Sequence, residues 1–231
     1  MRAVDEAMID DYHIELIQMM ENAGRNLAHL ARTRFMNGDP RQRDVLVLAG
    51  RGGNGGGGLV AARRLSTWGA IVHVVTTHPD EDVRGVPAHQ LDILRRMDVP
   101  IQISQDFGFD HPPDLILDAL IGYGLSGSPR GPAAALIRAA NAGEAPILSL
   151  DIPSGLDSTK GKAHPPTIRA TVTLTLALPK KGLRAPGAAV YVGELYLADI
   201  GVPLELYKRL GIEVGPLFAQ HDILRIEVAN K

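Results

Sequence analysis

The chain contains no cysteine. That excludes disulfides, thiolate metal sites and cysteine nucleophiles. It has little net charge: 24 Lys and Arg against 26 Asp and Glu leave a formal balance of -2. No basic tract or face draws it toward nucleic acid or an anionic membrane. No apolar run approaches the roughly 20 residues of a membrane span. The first stretch, MRAVDEAMIDDYH, carries acids where a secretion signal needs a basic stretch and an apolar run. The expectation is a soluble protein with no nucleic-acid or membrane partner, cytoplasmic if bacterial. No linker, repeat or low-complexity segment divides the 231 residues, and 45% hydrophobic content is enough for a sizeable core. Residues 1–231 therefore read as one domain.

What is present is an alternation of strands and helices. Leu16, Met20, Ala23, Leu27 and Ala31 recur at helical spacing, so Ile14 to Arg34 reads as an amphipathic helix, with a shorter helix before it. DVLVLA, Asp44 to Ala49, reads as a strand buried on both faces. A helix is expected from Leu59 to Trp68, a strand over Ile71 to Val75, and a helix over Pro87 to Met97. VPIQI and Leu115 to Leu117 follow as short strands, the latter ending in Asp118. Then come a helix (Pro132 to Ala140), a strand ending in Asp151, strands over Val172 to Leu178 and Val190 to Leu197, and a helix over Pro203 to Leu210. Such alternation predicts an α/β fold with a parallel sheet covered on both faces. The tail, Gly211 to Lys231, has no clear place; ILRIEV could add an edge strand.

Three loops that follow strands carry chemical groups, and in an open parallel sheet such loops meet at one edge. The first is GRGGNGGGG, Gly50 to Gly58, in which seven of nine residues are glycine. It contains G-x-G-x-x-G at Gly50, Gly52 and Gly55. The acidic residue that a dehydrogenase places after its second strand is missing, since that strand runs into Thr76 and Thr77. No G-x-x-x-x-G-K-[ST] occurs, so the loop is not a P-loop. The second is LILDALIGYGLSGSPRGP, with Asp118 at the strand end and Gly122, Gly124 and Gly127 beyond it. The third is LSLDIPSGLDS, where Asp151 ends the strand and Ser154 adds a hydroxyl. A partly desolvated carboxylate beside a ligand is a candidate general acid or base. No histidine lies in this loop to make Ser154 a nucleophile.

Together these segments resemble the YjeF N-terminal domain family, the NAD(P)H-hydrate epimerases. That family's loop reads roughly GxGNNGGDGLVAARxL, against GRGGNGGGGLVAARRL here. MMENAG, DALIGYGLSGSPRGP, LSLDIPSGLD followed by Gly161, VTLTLALPKKG and GELYLADIGVP also have counterparts, so the resemblance spans residues 1–205. Two positions depart: Gly53 and Gly57 stand where the family carries Asn and Asp.

The resemblance implies a Rossmann-like three-layer α/β/α sandwich with a mostly parallel sheet, commonly a homodimer. It implies an epimerase that interconverts the R and S forms of hydrated NADH and NADPH for a separate S-specific dehydratase. It implies one potassium ion held by Asn54, Asp118 and Ser154. It places substrate contacts at Gly53, Asn54, Gly55, Gly56 and Gly57, at Gly122, Tyr123, Gly124, Leu125, Ser126, Gly127 and Ser128, and at Asp151. Lys180 follows a strand and could also meet the ligand. The expected chemistry is loss of water from the ring carbon beside nitrogen and re-addition on the other face, with Asp151 as acid and base. The departures leave a second reading open, a weakened or inactive nucleotide-binding and dimerisation module on the same fold.

Overall fold

The structure is a computed structural model that describes residues 2–104 and 112–227. Two helices come first, α1 (Arg2–Asp10) and α2 (Leu16–Phe35). The alternating part follows as β1 (Asp44–Ala49), α3 (Gly53–Thr67), β2 (Ile71–Thr76), α4 (Gly85–Arg96) and β3 (Ile101–Ile103). Next are β4 (Leu115–Ala119), α5 (Gly131–Ala142), β5 (Ile147–Leu150) and β6 (Val172–Leu176). The chain closes with a single helical turn α6 (Ala189–Val192), β7 (Glu194–Ala198), α7 (Leu204–Arg209) and β8 (Ile223–Ile226).

The eight strands form one sheet in the order β3-β2-β1-β4-β5-β6-β7-β8. All neighbours are parallel except β7 and β8. The expected edge strand in the tail is therefore real, while Val228, the last residue of ILRIEV, lies outside the described residues. Alternation along β1 divides the core. Val45, Val47 and Ala49 pack with Leu27 of α2, Leu59 of α3 and Leu94 of α4. Leu46 and Leu48 face the other way, onto Leu136 and Ile137 of α5. Both faces are covered, which is why VLVL contains no polar residue.

The order reverses between β1 and β4. The chain moves outward through β2 and β3, then crosses back to β4. The loops after β1 and β4 therefore part at this point and leave a crevice at the carboxyl edge.

The glycine run departs from its sequence expectation. It is not an extended loop: helix α3 starts at Gly53, six residues before Leu59. Intrinsic propensity disfavours helix through four consecutive glycines, but packing overrides it. A Cβ on Gly55 would lie 1.7 Å from the Gly50 carbonyl oxygen, and one on Gly58 would lie 2.5 Å from Ala119 Cβ. The first turns of α3 thus sit closer to the sheet than any side chain permits. The strand expected from Val190 also starts later, at Glu194, because Gly193 breaks the chain at φ 62°. A Cβ there would lie 2.2 Å from the Thr171 carbonyl oxygen.

Candidate active site

Asp118 lies within β4, in register with Leu48 on one side and Ser149 on the other. It is wholly buried. Its Oδ2 accepts from Ser149 Oγ at 2.8 Å and from the Ser154 backbone N–H at 2.9 Å. Its Oδ1 accepts from Ser154 Oγ at 2.6 Å and from the Leu120 N–H at 3.3 Å. Ser154 Oγ accepts in turn from the Ile121 N–H at 2.9 Å. This network ties the loop after β5 to the loop after β4. Burial pushes the Asp118 carboxyl up from its ordinary range, and the donors from Ser154, Ser149 and Leu120 partly offset it. No ion pair to Asp118 occurs among the described residues.

Asp151 follows β5 with φ at 66°, a left-handed conformation that is uncommon for a residue with a side chain. Its backbone N–H donates to the Leu174 carbonyl at 2.7 Å, which extends the β5–β6 pairing by one residue. The turned backbone carries the carboxylate toward β6. There Lys180 Nζ donates to Asp151 Oδ1 and, at 2.9 Å, to the Leu176 carbonyl. Longer contacts from Leu176 N–H at 3.4 Å and Thr175 Oγ1 at 3.5 Å reach the same Oδ1. Among the described residues every donor to the carboxylate falls on Oδ1, which leaves Oδ2 for a ligand. The two side chains are 5% and 6% exposed. A buried pair of this kind does not form because it is stabilising; its desolvation cancels much of the attraction.

Both side chains border a cavity of about 750 Å³ at the crevice. Gly53, Asn54 and the whole segment Gly122–Ser128 line it too. The candidates from all three loops therefore converge, with five exceptions. Gly55, Gly56 and Gly57 are buried within the first turns of α3 and do not line the cavity; Gly57 faces Leu150 Cδ2, and Gly56 faces Met20. Ser154 lies behind the cavity wall with Asp118, fully buried. Asn54 is placed against Gly122: a Cβ at Gly122 would lie 3.2 Å from Asn54 Cγ. Asn54 Nδ2 is buried with no hydrogen-bond partner among the described residues, a condition that an acceptor atom on a bound ligand would relieve.

Two contributors lie outside the sequence expectations. Asp5 of α1 reaches the cavity and accepts from Tyr123 Oη at 2.6 Å. Burial pushes the Asp5 carboxyl up, and the Tyr123 hydrogen bond and nearby Lys180 pull it back. Burial and Asp5 also push the Tyr123 phenol up. The second contributor is a set of cations at the rim, Arg2, Arg51 and Arg130. Asp5 stands 118 residues from its partner, and nothing in its spacing marks it. With Gly53 at the mouth, the cavity offers a helix N-terminus with free N–H groups, rim arginines for phosphates and a buried acid–base pair at its inner end.

A family model described as "YjeF-related protein N-terminus" matches residues 16–182. A protein of Dehalogenimonas lykanthroporepellens named NAD(P)H-hydrate epimerase is 43% identical over 219 residues, which is 92% of this chain and 84% of that protein. A protein of Moorella thermoacetica named bifunctional NAD(P)H-hydrate repair enzyme is 36% identical over 89% of this chain and 40% of its own length. The crystal structure of yeast ynu0 superimposes with a TM-score of 0.80 at 25% identity, covering 96% of each chain. With its matched motifs set around one crevice on this sheet, the chain belongs to the YjeF-related N-terminal family.

Proposed function

We propose that this chain is an isomerase that interconverts the R and S forms of hydrated NADH and NADPH. The observation that carries the reading is the buried Asp151–Lys180 pair facing a cavity of dinucleotide size at the sheet's reversal point. Relatives named NAD(P)H-hydrate epimerase over most of their length support the same substrate. The departures at Gly53 and Gly57 do not weaken it. Gly57 lies away from the cavity, and Gly53 has open space around it. A module that merely held a nucleotide would gain nothing from burying an ion pair against its ligand.

The hydrate carries a hydroxyl on the ring carbon beside nitrogen. A proton from the Asp151–Lys180 pair passes to that oxygen. The carbon–oxygen bond breaks with its electrons on oxygen, and water leaves. The nitrogen lone pair closes a carbon–nitrogen double bond, and the carbon becomes planar. Water then adds to the other face, loses a proton to the protein, and the centre is inverted. Acid–base assistance of this kind is typically worth about 10²–10⁴ in rate.

The residues Asn54, Asp118 and Ser154 suit a hard monovalent cation, and potassium is the one we propose. All three offer oxygen donors. Asp118 is a buried carboxylate with no cationic side chain against it among the described residues. Bound potassium would supply the missing positive charge and brace the loops after β1, β4 and β5. We also propose a homodimer, and a separate S-specific dehydratase as the pathway partner. The test is a coupled assay on mixed hydrates of NADH with an S-specific dehydratase, with and without potassium. Faster consumption of the R form than its spontaneous epimerisation, strengthened by potassium, is expected. Decay at the background rate overturns the reading.

A further inference from the structure

Inversion raises a geometric demand that one acid–base pair does not meet. Water leaves from one face of the ring and returns on the other. Asp151 and Lys180 are fixed: both side chains are buried, Lys180 is held by the Leu176 carbonyl, and the Asp151 backbone is tied to β6. A pair so held serves one face of a ring seated beside it. The second face needs its own group that can take and return a proton.

The cavity contains such a group. Tyr123 Oη donates to Asp5 Oδ2 at 2.6 Å, and both residues line the same cavity as Asp151 and Lys180. They arrive from different elements: Tyr123 from the loop after β4, and Asp5 from α1. The helix is anchored for this. Val4 and Met8 are buried against Leu206 and Tyr207 of α7 and Met19 of α2, so Asp5 projects from a fixed frame. We propose that Tyr123 and Asp5 form a second proton-handling station, serving the ring face turned away from Asp151. This rests on the epimerase reading and deepens it.

As water bonds to the planar carbon, its proton moves to the Tyr123 oxygen while the phenol proton moves to Asp5. The electron pair of the carbon–nitrogen double bond returns to nitrogen. The Asp151–Lys180 pair has lost one proton and Asp5 has gained one; exchange with solvent resets both. In the opposite direction the two stations exchange roles. Burial favours the protonated form of Asp5 and opposes ionisation of Tyr123, which suits a relay whose tyrosine is never left charged. Among the described residues, the other charges that bear on Asp5 are Lys180 and Asp151.

The test uses the full chain and three variants, Tyr123→Phe, Asp5→Asn and the two combined, with kcat and KM measured for R-to-S conversion of hydrated NADH. Each single variant is expected to lower kcat about 10²-fold or more, with KM changed by less than about threefold. The double variant is expected to be no slower than the slower single one, because the pair acts as a unit. Tyr123→Phe keeps the ring in place, so it remains decisive if Asp5→Asn loosens α1 and lowers Tm. A rise in KM at unchanged kcat would mean that the pair shapes the wall, and would overturn the proposal, as would unchanged kcat and KM. An inactive wild-type chain would instead overturn the epimerase reading, and this inference with it.

Discussion

At Asp151 and Lys180, function and stability pull in opposite directions. The pair is buried, so its attraction is largely offset by lost hydration, while removal of one member strands a charge at about 3–5 kcal/mol. Lys180→Met is therefore expected to lower Tm by well over 5 °C and abolish activity. Asp151→Leu combined with Lys180→Met is expected to recover most of that stability and none of the activity, measured by thermal melting beside the R-to-S assay. If the single variant is as stable as wild type, the pair is not buried as described. The sequence showed which carboxylates to examine, because Asp118 and Asp151 close apolar strands and such positions meet at the sheet edge. Pairings were not legible. Lys180 lies 29 residues beyond Asp151, and Asp5 lies 118 before Tyr123. No periodic pattern encodes contacts made by tertiary folding alone.

Among the elements, β1, α2 and α5 were readable because each has a strong period and a clear composition. Helix α3 was readable only from Leu59 onward. Its first six residues are glycine apart from Asn54, and propensity argues for a loop. Close approach decides otherwise, and two substitutions separate the causes. Gly55→Ala would place its Cβ 1.7 Å from a backbone oxygen that cannot yield cheaply. It is expected to cost about 1–3 kcal/mol or more, seen as a lower urea midpoint. Gly53→Ala meets nothing within 4 Å and is expected to change stability by less than about 0.5 kcal/mol. Equal effects would show that the run is a flexible loop. Helix α7 supplies another handle. Burial pushes the Tyr207 phenol up to about 12 from its ordinary 10. The folded chain then keeps a proton that the unfolded chain releases, so stability falls as pH rises from about 10 to about 12. Tyr207→Phe is expected to flatten that alkaline decline in Tm. A decline identical to wild type would remove Tyr207 as its source.

Across the whole molecule, one sheet explains why distant motifs act together. Its order reverses between β1 and β4, so loops near residues 50, 120, 151 and 180 open onto one crevice. No helix among the described residues is long and apolar enough to cross a membrane. The proposed chemistry is loss of water from a hydrated nicotinamide ring in this crevice and its return to the other face. The most direct measurement starts with the separated R hydrate of NADH in heavy-oxygen water and follows the labelled S form. The protein is expected to speed its appearance at least about 10²-fold over buffer, with solvent oxygen in each inverted molecule. Appearance at the buffer rate, or enzyme-formed S hydrate that keeps its original oxygen, would contradict that chemistry.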